Sequence, residues 1–303
     1  MKAEITLGPI LFHWSTDEIR DFYFRIADEA DVNTVYFGEV VCGKRVPLIN
    51  KYYGEISGRL SRAGKKVIFS TLAEVMIKKD RQIVSRISAM DECLVEANDA
   101  SALWELSGRA HCVGPYMNVY NERTMAHLAR NGATHFTLPP ELPGTVIQKL
   151  AVGASALGVG LEVQVFGRLP LALSARCYHA RAWGRLKDNC QFVCEESPDG
   201  MVLETMDGEP FLAINGIQTL SYKYVNLMAE MVKMQEYGVS VFRLSPHQCD
   251  MVGITKLYRS VIDGAISAKE ATSQLPESGL TIPFCNGFYH QVDGHRWIGE
   301  STL

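Results

Sequence analysis

Short apolar runs rich in β-branched and aromatic residues recur along the chain, each followed by a longer stretch with helical spacing. AEITLGPI reads as a first strand. STDEIRDFYFRIADEA follows as a helix with Ser15 or Thr16 as N-cap and acidic residues in its first turn. NTVYFGEV is a second strand, and LINKYYGEISGRLSRAG a helix closed by Gly64. The alternation continues through strands KKVIFSTL, ECLVEAND, HCVGPYMNV, HFTLP and LEVQVFG. Helices fall near 78–90, over ASALWELSGR and ERTMAHLARNG, and at 143–157. A last strand, VSVFRLSP, precedes a helix over 251–267. Such alternation predicts a parallel sheet, because parallel neighbours need a long crossover. About eight such units predict an α/β fold of the (β/α)8 TIM-barrel type. A doubly wound sheet is the competing arrangement, but no early strand leads into a G-x-G-x-x-G turn.

The alternation breaks between residues 174 and 216. Asp207-Gly208, between two extended runs, is a hairpin signal. The strand ending at QVFG therefore leads into a cysteine-bearing loop and a β-hairpin before the barrel resumes. The chain reads as one barrel domain over 1–303, with 174–216 inserted after the seventh strand and a C-terminal extension over 269–303. In a barrel, the loops after the strand C-termini form the functional face. The extension, with Phe284, Phe288, Tyr289 and Trp297, reads as a cover on its own barrel or as a partner-facing segment.

Composition adds limits. Of the 303 residues, 47% are hydrophobic and 21% charged, which suits a globular protein with a large core. A net charge of −4 argues against a nucleic-acid surface. No stretch approaches the roughly 18 apolar residues of a membrane span. The N-terminus reads as a strand rather than a signal peptide, so a cytoplasmic location is expected. Eight cysteines in such a chain should be mostly reduced, and a clustered subset points to metal or catalysis.

Cys177, Cys190 and Cys194 lie within eighteen residues. On a helical turn, Cys190 and Cys194 would share a face. Three sulfurs are an incomplete set, since thiolate sites for iron–sulfur clusters or zinc normally number four. The fourth ligand should come from another loop on the same face. Cys42 follows the second strand and Cys249 the last, so both are candidates. Cys93 and Cys112 fall at strand starts, where a buried apolar thiol is the simpler reading, and Cys285 lies in the extension. Zinc would favour close C-x-x-C pairs, which this spacing lacks.

Other candidates carry less. His247 and Cys249 in SPHQCD suggest a Cys–His pair, but residues two apart rarely reach the needed geometry. Glu96, Asn98, Asn118 and Asn121 lie near strand ends, where they orient a polar ligand or serve as caps and turns. Glu74 is a further strand-end carboxylate or a solvated helix start. Arg176 and Arg181 either balance thiolate charge or are solvated.

LEVQVFGRLPLALSARC followed by two further cysteines resembles the signature of the collagenase-like peptidase family of unclassified mechanism. Ser174, Arg176 and Cys177 keep its S-G-R-C pattern, with Ala175 in place of glycine. NDASAL and GPYMNVYNE are also similar to that family. Its members usually carry a cysteine seven residues before the S-G-R-C cysteine, where this chain has Pro170. Cys42 supplies a replacement, as in the branch that serves oxygen-independent ubiquinone biosynthesis. That resemblance implies a [4Fe-4S] cluster held by Cys42, Cys177, Cys190 and Cys194. It implies a heterodimer with a homologous cluster-bearing subunit, acting on a ubiquinone precursor or its lipid carrier protein in a hydroxylation without O2. No Ser–His–Asp, Cys–His or H-E-x-x-H arrangement supports the peptidase name. An iron–sulfur subunit that hydroxylates an RNA base, or a scaffold merely stapled by metal, are the alternatives.

Overall fold

The computed structural model describes residues 3–299. Seven strands come first: β1 (Glu4–Leu7), β2 (Thr34–Phe37), β3 (Lys66–Ser70), β4 (Leu94–Ala97), β5 (His111–Val113), β6 (Ala133–Thr137) and β7 (Gly160–Leu173). An insertion holds β8 (Met201–Glu204), β9 (Pro210–Asn215) and β10 (Gln218–Asn226). β11 (Val241–Leu244) and β12 (Phe284–Cys285) complete the set. Strands β1 to β7 pair in chain order, all parallel, and β11 pairs in parallel with both β7 and β1. That closes an eight-stranded (β/α)8 barrel.

Local sequence sets the element ends. Ser15 Oγ accepts the Glu18 N–H at 3.3 Å while Glu18 Oε2 accepts the Ser15 N–H at 2.9 Å. This reciprocal cap starts the helix Thr16–Glu29. The helix Tyr53–Arg62 ends at Gly64 (φ 77°), with Gly64 N–H donating to Ser61 O and Lys65 N–H to Leu60 O.

The barrel lumen is charged. Arg243 on β11 donates to Glu96 Oε1 on β4 at 2.7 Å and to Glu162 Oε2 on β7 at 2.6 Å. Its guanidinium also lies 3.8 Å over the Tyr36 ring of β2. Glu162 accepts further bonds from the hydroxyls of Thr6, Tyr36 and Thr137, and Glu96 from Ser70. All these groups are buried. Seven of the eight barrel strands are thereby tied to one arginine. Burial alone would raise the Glu162 pKa, but attraction to Arg243 and hydrogen bonding hold it well below the usual carboxylate range.

β7 does not stop at QVFG. Gly167 (φ 107°) bends it out of the barrel, and a Cβ there would lie 2.7 Å from Ser245 Cβ and 2.8 Å from His247 Nε2. The bent half continues to Leu173 because β10 offers it an antiparallel partner. β8 and β9 form the hairpin expected at Asp207-Gly208, with Gly208 at φ 83°. A second turn at Asn215-Gly216 leads into β10, which the sequence reading did not include.

The extension covers its own barrel. Gly144 N–H donates to Tyr289 O at 3.0 Å, and the Tyr289 ring packs where a Cβ of Gly144 would lie. β12 pairs with β10. Phe284 stacks near Trp297, which stays 43% exposed. Residues 300–303 of the expected extension lie outside the described residues. No helix among the described residues is long and apolar enough to cross a membrane.

Candidate metal centre

The loop after β2 and the insertion after β7 meet at one face of the barrel, and four thiols meet with them. Cys42, Cys177, Cys190 and Cys194 line a single cavity with Lys44, Arg45 and His179, closed on one side by Gly216 and Ile217. The cavity between these side chains is small, about 20 Å3. No disulfide joins any of the eight cysteines. Among the described residues no group of three or more His, Cys, Asp or Glu side chains converges enough to hold a single metal ion.

Each thiol is placed by its own local device. Glu39 is buried and its Oε1 accepts the N–H groups of Val41 and Cys42 at 2.8 and 2.9 Å, which fixes the turn that presents Cys42. Burial raises the Glu39 pKa, with Arg45 and those two N–H groups opposing. Cys177 is the N-cap of the short helix Tyr178–Ala182, its Sγ accepting from Ala180 N–H at 3.4 Å. Cys190 and Cys194 are not on a helical turn, contrary to the spacing argument. Gln191 (φ 49°) and Phe192 (φ 53°) between them are left-handed, and short 3-10 turns flank them. Two consecutive non-glycine residues in that region are costly, so the surrounding loop must hold them there.

The cavity is rich in donors and poor in acceptors. Lys44 Nζ donates to the carbonyls of Lys187 and Asp188, each at 2.9 Å, and lies 3.5 Å from Cys190 Sγ. Arg45, 3% exposed, donates to Leu11 O and Asn215 Oδ1 at 3.0 and 3.1 Å and pairs with Glu39 at 3.8 Å. Its Nε has no hydrogen-bond partner. His179 is fully buried and neither ring nitrogen has a partner. Burial first, then Arg45, lowers its pKa, which disfavours the imidazolium. Burial likewise pushes the Cys42 and Cys177 thiols up, with Arg45 opposing in both. Buried thiols become thiolates when a metal replaces the proton. Unpaired donors and four thiols around one space fit a polynuclear, sulfur-rich, anionic group such as a [4Fe-4S] cluster.

Beside it lies a second cavity of about 440 Å3 that shares Arg45 and Phe192. Phe12, Trp14 and Ile19 give it apolar walls, and His13 and Lys51 polar ones. The His13 ring packs 5.4 Å from that of Phe192. Its pKa is brought down to about 4, chiefly by burial and then by Arg45.

The remaining candidates lie elsewhere. Cys249 packs its Sγ 3.6 Å from Met251 Sδ and is absent from the thiol cavity; burial pushes its pKa up to about 12. His247 is no partner for it. Its Nδ1 meets Asp199 at 2.5 Å and its Nε2 accepts the Arg168 N–H at 3.0 Å, so both ring nitrogens are committed. Burial pushes Cys112 and Cys285 up to about 12 as well, and raises Cys93. Glu96 and Asn98 belong to the lumen network. Asn121 caps the helix Glu122–Arg130 through Thr124 N–H at 2.9 Å, and Asn118 is a left-handed turn residue. Glu74 is half-buried in the loop after β3. Arg176 and Arg181 are exposed; the cations that line the cavity are Lys44, Arg45 and Lys187. Lys44 and Arg45 directly follow Cys42-Gly43, and His179 stands two residues after Cys177. That adjacency was the available signal for all three.

Among solved structures, the chain is similar to thiamine phosphate pyrophosphorylase from Pyrococcus furiosus, at 8% identity and a TM-score of 0.41 over 88% of this chain and 98% of that one. It is also similar to a mandelate racemase/muconate lactonizing protein from Paracoccus denitrificans PD1222, complexed with magnesium, at 13% identity and a TM-score of 0.39 over 55% and 48%. A sequence profile of peptidase family U32 matches residues 15–299, nearly the whole barrel and its insertion. The chain belongs to peptidase family U32.

Proposed function

We propose that this chain is a member of the UbiV branch of the family: an iron–sulfur subunit required for O2-independent hydroxylation in ubiquinone biosynthesis. Cys42, Cys177, Cys190 and Cys194 hold a [4Fe-4S] cluster, and the chain works in the cytoplasm as a heterodimer with a UbiU-type subunit. The observation that carries this reading is the convergence of those four thiols, from two distant loops, on one cavity with unpaired donors. Replacing an aromatic C–H by C–OH removes two electrons, and a thiolate-held cluster, when bound, supplies one-electron transfer. The chain's own residues do the rest. Lys44 and Arg45 offset the negative charge of the thiolates, Glu39 orients the Cys42 turn, and the Gly216-Ile217 turn shields one side from water. The adjoining cavity, with aromatic walls and a cationic corner, suits a ring-bearing precursor. Tyr178, Trp183 and Leu186 on the cysteine loop are 45%, 51% and 74% exposed and offer anchors for the second subunit. Proteolysis is not part of this proposal: His247, paired with Asp199 through Nδ1, has its Nε2 taken by the Arg168 N–H and is not free to act as a base.

Anaerobic purification with iron and sulfide analysis is the first test, with about four irons per chain and broad absorption at about 400 nm expected. Deleting the gene should lower ubiquinone under anaerobic growth and leave aerobic levels intact. Normal anaerobic ubiquinone in the deletion strain would refute the function. Zinc in place of iron would leave a stapled scaffold, and salt-sensitive co-purification with RNA would favour an RNA-base hydroxylation subunit.

A further inference from the structure

His179 is the least explained polar side chain in the molecule. It is fully buried, yet Nδ1 and Nε2 both lack a hydrogen-bond partner. The Ile214 backbone lies close, but without the geometry of a hydrogen bond. Leaving a buried donor unsatisfied is costly, and native folds rarely retain one without use. Buried His247 shows the ordinary solution, with both ring nitrogens engaged, and His111 engages at least Nδ1, on Arg109 O at 2.8 Å, leaving Nε2 without a partner. His179 lines the thiol cavity instead, in the helix that Cys177 caps. Its backbone is held from the other side, its N–H donating to Gly216 O at 3.4 Å. The side chain is thus held at the cavity that the four thiols line, where the sulfurs are acceptors within the same lining as its unpartnered ring.

We infer that His179 donates a ring N–H hydrogen bond to a sulfur of the group held by Cys42, Cys177, Cys190 and Cys194, and so raises the reduction potential of that group. The inference rests on the iron–sulfur reading above. A hydrogen bond to sulfur draws off negative charge and therefore favours the reduced form, which carries one more electron. His179 is a positioning and tuning residue, not a ligand, because four thiols already complete the set.

The test uses anaerobically prepared full-length protein, wild type beside His179→Leu and His179→Gln. Iron and sulfide content, the midpoint potential from a spectroelectrochemical titration, and the electron paramagnetic resonance spectrum of the reduced state are measured. His179→Leu should keep full iron and shift to lower potential with altered g values, while His179→Gln, which keeps an N–H, should fall between. If the Leu variant does not fold, His179→Phe fills the ring volume without a polar atom and reads the same quantity. Full iron with an unchanged potential and spectrum in the Leu variant would overturn the inference. So would loss of iron in both variants whose metal-free forms melt as wild type does, since His179 would then be a ligand. Wild-type protein that binds no iron would overturn the cluster reading and this inference with it, a result distinguishable from the other two.

Discussion

Arg243→Met removes the guanidinium that Glu96 and Glu162 share and leaves a shorter, unbranched apolar side chain. Glu162, fully buried, loses bonds of 3.1 and 2.6 Å to the guanidinium and keeps the hydroxyls of Thr6, Tyr36 and Thr137 and the His135 ring 3.6 Å away, while Glu96 loses its 2.7 Å bond. A carboxylate stranded this way escapes its charge by binding a proton. At pH 7, protonating a carboxyl of ordinary pKa, about 4.3, costs about 3.7 kcal/mol at 1.36 kcal/mol per pH unit. That figure caps the loss from Glu162 and agrees with the roughly 3–5 kcal/mol typical of breaking a buried pair. At pH 5 the same step costs only about 1 kcal/mol.

The sign of the pH dependence follows. In the wild type the Glu162 pKa is depressed, so its contribution is present above about pH 4.3 and is lost as pH falls toward the folded value. In the variant the folded pKa rises above the unfolded one, so stability is greatest at low pH and falls as pH rises through the raised value. The two curves should converge on acidification, by about 2.7 kcal/mol between pH 7 and pH 5 for each carboxylate that takes up a proton in place of the guanidinium. Urea unfolding at both pH values, followed by tryptophan fluorescence and circular dichroism, measures this. Adding Glu162→Gln to the variant removes one of the two stranded charges, Glu96 being the other, and should recover part of the loss at pH 7. An equal loss at both pH values, or a double variant less stable than the single one, would refute the reasoning.

Cys42→Ala should bind no intact cluster, whereas Cys249→Ala should retain full iron; the reverse result would make Cys249 the fourth ligand. Lys44→Met, which removes the ammonium 3.5 Å from Cys190 Sγ and its two carbonyl bonds, should release iron several-fold faster under a chelator. Gln191→Gly relieves a left-handed φ of 49° at an exposed side chain and should raise thermal stability by up to about 1 kcal/mol, read as a higher melting temperature.

The eight barrel strands were legible because each is a β-branched or aromatic run closed off by a helix. β10 was not, since QTLSYKYVN is half polar and its partners, the bent end of β7 and the hairpin strand β9, are distant or newly formed. The Asn215-Gly216 dipeptide was a turn signal of the same kind as Asp207-Gly208, and it places the wall of the thiol cavity. The geometry between Cys190 and Cys194 was hidden for a different reason. Spacing of four implies a helical face only if the intervening residues are helical, and neither Gln191 nor Phe192 advertises a left-handed backbone as glycine or asparagine would. His179 is legible as a histidine near a cysteine; that its ring lacks a partner is a property of the packed cavity.

The lumen network explains why the thiol cavity exists at all. Cys42 follows β2 and the other three follow β7, strands that are not neighbours in the barrel. Their loops meet only if the sheet closes with the right curvature, and closure brings Glu96, Glu162 and Arg243 from β4, β7 and β11 into one point. An apolar lumen would close too, but less selectively, because apolar contacts tolerate small slips in register. A buried guanidinium shared by two carboxylates does not, since a slip of one residue turns either carboxylate out of the lumen and strands the charge. On this argument the charges at the barrel's centre set the register of the strands whose loops carry the thiols.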